Sequence, residues 1–146
     1  MNPLSSLECG QAFRRQPAEG FTLTGFFPTV VRRSEGVVSG TVAFEGKGES
    51  REAVMSRVAD LFLVQDGLVV ALPLPQDGAG VSVTVAAGKA VTVSANCLLT
   101  PCDSADSAPA LLEPGAYESY ARILLNYDDG SHVECFGGPW LVEIHE

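Results

Sequence analysis

The stretch Ala59-Asp60-Leu61-Phe62-Leu63-Val64-Gln65-Asp66-Gly67-Leu68-Val69-Val70-Ala71-Leu72 decides the fold class. Two apolar runs flank Asp-Gly, the pair best suited to the positive-φ positions of a tight hairpin turn. Each run is too short for a helix and fits a strand. Leu61 and Leu63 share one parity while Phe62 has the other, so both faces of the first run are apolar. That pattern predicts a central strand covered on both sides.

Working outward, the same grammar recurs: short valine-laden runs separated by Gly, Pro and Asp. Toward the N-terminus, Phe21 to Phe27 reads as a strand stopped by Pro28, with Val30-Val31 continuing it on an edge. Val37 to Phe44 alternates and ends at a charged turn over residues 45–50, while residues 52–57 fit either a strand or one helical turn. On the other side, residues 73–78 form a Pro- and Gly-bearing loop. Strands are expected over 81–85 and 90–97, then over 117–127 and 131–136 around Asp128-Asp129-Gly130, and over 140–144 after a break at Gly137-Gly138-Pro139. Eight or nine short strands without an amphipathic helix predict an all-β, antiparallel two-sheet sandwich. The domain reads as residues 21–146, preceded by an irregular segment, 1–20, pinned through Cys9.

The chain has 146 residues, enough for one domain with its own core. It is 46% hydrophobic and 18% charged, which excludes a disordered chain. Eighteen acidic against nine basic residues give a net charge of −9, a field that repels nucleic acid and anionic membranes. No apolar run reaches the length of a membrane-spanning helix. The first residues have no basic segment followed by an apolar core, so they do not read as a signal peptide.

The four cysteines, Cys9, Cys97, Cys102 and Cys135, lack the paired spacing of a zinc or C-x-x-C redox site. An even number reads as two disulfides, which places the protein outside the cell or on its surface. Alternation turns Cys97 and Cys135 inward, where they are expected to pair. Cys9 and Cys102, in irregular polar stretches, are left as the second pair, and a local Cys97–Cys102 loop at Pro101 stays open as an alternative.

Asp66-Gly67-Leu68-Val69-Val70, the turn Ala87-Gly88-Lys89 and the run Glu113-Pro114-Gly115-Ala116-Tyr117 appear in a familiar order. Over residues 37–127 this order resembles immunoglobulin-like sandwich domains of the intracellular proteinase inhibitor type, and related bacterial secreted and cell-surface modules. The resemblance implies a sandwich in which the Tyr117 hydroxyl bonds back to the backbone of the preceding corner.

The chemistry-bearing residues point away from catalysis. No strand–Ser–helix elbow is present, and the two histidines, His132 and His145, read as surface residues. The carboxylates Asp60, Asp66, Asp103, Asp106, Asp128 and Asp129 sit in or near turns. They suit backbone bonding there better than a calcium loop, whose D-x-D-x-D-G signature is missing. Arg14-Arg15 and Arg32-Arg33 read as solvated loop ends. What stands out is the loop from Leu98 to Gly115, long for a compact domain. Asp103, Asp106 and Pro109 mark its candidate binding surface. The expectation is a module without cofactor that is not an enzyme and that binds a protein or carbohydrate partner, or spaces larger assemblies, through its loops. Proteinase inhibition by the 98–115 loop is the alternative reading.

Overall fold

Asp66 and Gly67 have φ of 53° and 79°, both in the left-handed region that the hairpin requires. This turn joins β5 (Val58–Gln65) to β6 (Leu68–Ala71). The computed structural model describes residues 8–13, 20–74, 80–103 and 110–146. Around that hairpin stand β1 (Phe21–Phe26), β2 (Val30–Arg32), β3 (Val37–Gly46) and β4 (Arg51–Ser56). They are followed by β7 (Gly80–Val85), β8 (Ala90–Leu98), β9 (Gly115–Tyr127) and β10 (His132–His145).

The fold is all-β, but the expected immunoglobulin-like antiparallel sandwich of two sheets is overturned. Ten strands among the described residues form a single mixed sheet, in the order β1-β3-β8-β5-β9-β10-β2, curled into a half-barrel. The seam that joins the two would-be layers is β5. Its first residues, Val58 to Asp60, pair in parallel with Ser94 to Asn96 of β8. Its other edge pairs antiparallel with β9, from Asp60↔Arg122 to Val64↔Glu118. A second parallel pair, β2 with β10, closes one edge. Hairpin signals specify neighbours across a turn and carry no information about such non-local parallel pairs, so the sequence pattern alone suggested separate layers.

The double coverage expected for the 59–65 run is present. Leu61 and Leu63 enter the main core with Val38, Phe44, Ile123 and Leu125, while Phe62 and Val64 belong to a second cluster on the opposite face with Val69 and Tyr120. The ambiguous 52–57 stretch is strand β4, with Ala53 and Met55 buried and Val54 exposed. It pairs with β9 beyond the β5 contact, so β4 and β5 run along the same neighbour.

The expected break at Gly137-Gly138-Pro139 is instead a bulge inside one long strand. The β9–β10 register slips between Gly137 and Trp140, and pairing resumes at once. Gly138 has φ of 110°, and a Cβ there would lie 2.6 Å from the Ser119 carbonyl oxygen, so only glycine fits. The chain keeps its ladder on both sides of the bulge because Ser119 and its neighbours present a continuous edge.

Candidate functional site

The N-terminal segment does more than hang from a cysteine. Gly10 N–H donates to the Val69 carbonyl at 2.8 Å, Val69 N–H to Gln11 at 2.9 Å, and Phe13 N–H to Gly67 at 2.9 Å. Residues 8–13 therefore extend the sheet antiparallel along β6, with Ala12 opposite Leu68. Phe13 then inserts its ring among Phe62, Tyr120 and Phe136, with centroids at 4.8, 4.7 and 5.7 Å. Edge-to-face packing of this kind adds about 0.5–1.5 kcal/mol per pair beyond burial.

Cys9 is bonded to Cys102, with Cα atoms 5.7 Å apart across a sequence separation of 93. The bridge ties the segment to one stem of the long loop, and Cys102 N–H donates to the Val70 carbonyl at 2.8 Å. The other stem is held differently. Arg33 donates from Nε to the Leu112 carbonyl at 2.9 Å and from a terminal guanidinium nitrogen to Leu111 at 3.0 Å. Leu112 N–H in turn donates to Leu99 at 2.7 Å, joining the two stems. Arg33 is positioned by a single 3-10 turn, Arg33–Glu35, which Gly36 ends with φ of 73°.

These pieces enclose a cleft of about 470 Å³ between the N-terminal segment, β6 and the two loop stems. Leu68, Val70, Pro101 and Leu111 line it, with Gln65, Asp103 and Glu113 at its polar margin. Tyr117, buried at its base, donates its hydroxyl to the Glu113 carbonyl at 2.6 Å. Burial holds that phenol above its ordinary range, so it stays a donor. Leu68 is 43% exposed at the rim, a large apolar side chain left facing the opening. A shallower groove of about 510 Å³ runs along Pro114–Ala116 and Glu143–Glu146.

Asp103 is exposed at the cleft margin, while Asp106 and Pro109 lie outside the described residues. The expected Cys97–Cys135 bridge is not formed, and both are free, buried thiols. Both face the interior as alternation requires, but β5 and β9 stand between their strands. Burial pushes each thiol up to about 12. Asp129 accepts from the Ser131 hydroxyl at 2.5 Å, from Ser131 N–H at 2.8 Å and from Arg51 at 2.9 Å, interactions that hold its carboxyl below the usual range. Asp60 is held by Arg122 at 2.9 Å, and Glu134 lies 3.5 Å from the same guanidinium. His145 is exposed beside Glu143, and His132 is half-buried at the start of β10. Among the described residues no group of three or more His, Cys, Asp or Glu side chains is arranged to hold a metal ion.

Sequence reasoning missed Phe13 and Arg33. A lone aromatic beside a cysteine in a polar tail is the one signal that Phe13 offered. Arg33 offered none, because its partners are backbone carbonyls far away in the chain.

No family model matches the sequence, and no curated protein is significantly similar to it. Among solved structures, the Northeast Structural Genomics Consortium target SoR45 is similar with a TM-score of 0.51 and 12% identity, over 87% of this chain and 88% of that one. That likeness concerns the fold alone. The β-glucosidase from Listeria innocua matches with a TM-score of 0.45 and 14% identity, over 86% of this chain. Here the chain spans 16% of the enzyme's length. Spo0M, a sporulation control protein from Bacillus subtilis, matches with a TM-score of 0.45 and 16% identity, over 87% of this chain and 50% of that one.

Proposed function

We propose that this chain is a non-catalytic, extracellular binding module that takes an apolar segment of a protein partner into the disulfide-bordered cleft. The observation that carries this reading is the cleft's construction. Its walls are pinned from both sides, by Cys9–Cys102 and by the Arg33 contacts, while its lining is aliphatic and Leu68 faces the opening. Preformed, mostly apolar concavities with a few polar groups at the rim are what ligand sites usually look like. Pinning the walls beforehand lowers the ordering cost on binding. The aliphatic lining suits a peptide side chain better than a sugar. A bridge closing so long a loop persists best in an oxidising compartment, which supports the extracellular placement.

The test is a selection of peptides from a displayed random library, followed by titration of the winners into isotopically labelled protein. The expected amide shifts cluster at Gly10, Leu68, Leu111 and Glu113, and Leu68→Glu weakens binding at least tenfold. Winners that perturb another face and ignore Leu68→Glu overturn the reading.

One observation favours a second reading, proteinase inhibition. Both stems of the 98–115 loop are anchored, as an inhibitory segment requires if it is to resist cleavage. It predicts nanomolar, stoichiometric inhibition of some protease with the loop intact. Prompt cleavage within residues 104–109 without inhibition removes it.

A further inference from the structure

Residues 8–13 occupy a groove that any extended segment of matching chemistry would fit. One wall is the β6 edge, whose Gly67 and Val69 carbonyls and Val69 N–H make the three backbone bonds to the segment. The end of the groove is the aromatic pocket of Phe62, Tyr120 and Phe136 that receives Phe13. Backbone pairing along a sheet edge combined with one side-chain pocket is the geometry of strand addition between molecules. Here it operates within one chain, held in place by a single covalent bond, Cys9–Cys102. Both cysteines are half-buried and border the open cleft, so a small thiol reaches them.

We propose that this groove is a strand-acceptor site locked by the disulfide, and that its reduction lets the 8–13 segment of a second copy replace the resident one. The occupant is named by the structure itself, because the segment seated there is the one a second copy would offer. Such exchange preserves every contact and changes only which chain supplies the segment. In the opening step a dithiol reductant donates two electrons. The S–S bond breaks, each sulfur takes up a proton, and the reductant becomes its own disulfide. Residues 14–20 connect Phe13 to β1. A tether this short gives the resident segment an effective concentration on the order of 1 mM. Exchange therefore competes only near that protein concentration, and with the bridge closed it does not occur.

The proposal is independent of what the cleft binds, and its test uses the whole chain. Heavy-isotope and light protein are mixed in equal amounts at about 1 mM, reduced with a dithiol, freed of it, and reoxidised with glutathione disulfide, which leaves as two glutathione thiols. Peptide mass spectrometry then reads which chains are joined. The expected result is heavy–light Cys9–Cys102 peptides at roughly a quarter of all bridges, as an effective concentration near 1 mM implies. They fall about five-fold, to roughly one bridge in twenty, on dilution to 0.1 mM, and they are absent from a mixture never reduced. Absence of hybrids at 1 mM overturns the proposal. So do hybrid Cys9–Cys9 and Cys102–Cys102 peptides as abundant as Cys9–Cys102, since random collision rather than docking would then have joined the chains.

Discussion

Replacing Cys9 and Cys102 together by serine isolates the contribution of the tether. The bridge closes a sequence separation of 93 residues. In the chain-entropy treatment a loop near 100 residues costs the unfolded state about 4.7 kcal/mol of freedom at 25 °C. Two effects change that figure. Residual compactness of the unfolded chain lowers it, because some of the closure cost is already met. Loosening of residues 8–13 raises it, because three backbone bonds and the Phe13 contacts are then held only by their own free energy. The expected loss is about 3–5 kcal/mol. With a urea slope of about 2 kcal/mol per molar, the midpoint falls by about 2 M. The assay is equilibrium urea unfolding of wild type and variant, followed by Trp140 fluorescence, with circular dichroism as a check on two-state behaviour. A midpoint shift below about 0.5 M, in wild-type protein whose bridge is verified by mass, would refute the assignment of the tether as a stabilising constraint.

Further outcomes follow from the same geometry. Arg33→Met keeps the stem's packing but removes the bonds to Leu111 and Leu112, so limited proteolysis should cut near residues 110–113 at least several-fold faster, with a stability loss of about 2 kcal/mol. Arg122→Met removes the cation between the half-buried Asp60 and Glu134 and should cost about 2–3 kcal/mol in urea unfolding. The buried thiols make stability fall in alkali. Their folded values lie near 12 against an ordinary 9.0, so their contribution is intact below pH 9 and is lost as pH rises toward 12. At pH 10.5 the loss is about 2 kcal/mol per thiol, and the Cys97→Ala/Cys135→Ala protein should lack that slope. An equal slope in both proteins would count against burial of the thiols.

How much of this was legible beforehand depends on how local each signal is. The Asp66-Gly67 turn and the all-apolar 59–65 run declared a central hairpin strand, and the structure has one. Turn residues act over a few positions, so strand identity came through while sheet identity did not. Where β5 meets β8 in parallel, Ala59 stands opposite Ala95, two small residues that carry no sequence signal of partnership. The bulge at Gly137-Gly138-Pro139 illustrates the same limit. Gly and Pro mark an interruption, but only the facing Ser119–Tyr120 backbone decides that the ladder resumes. Parity correctly turned Cys97 and Cys135 inward, yet facing the same interior says nothing about lateral distance. The cleft was half legible: its loop was conspicuous by length and composition, whereas Arg33 and Phe13 act through contacts that no local pattern encodes.

The tether between the N-terminal segment and the long loop is the element that pins one side of the cleft and locks the strand groove. Alkylation without reductant, read by intact mass and peptide mapping, tests it most directly. Two adducts, at Cys97 and Cys135 and only after denaturation, with Cys9 and Cys102 recovered as one linked peptide, are predicted. Four adducts, or any bridge that includes Cys97 or Cys135, would contradict the account.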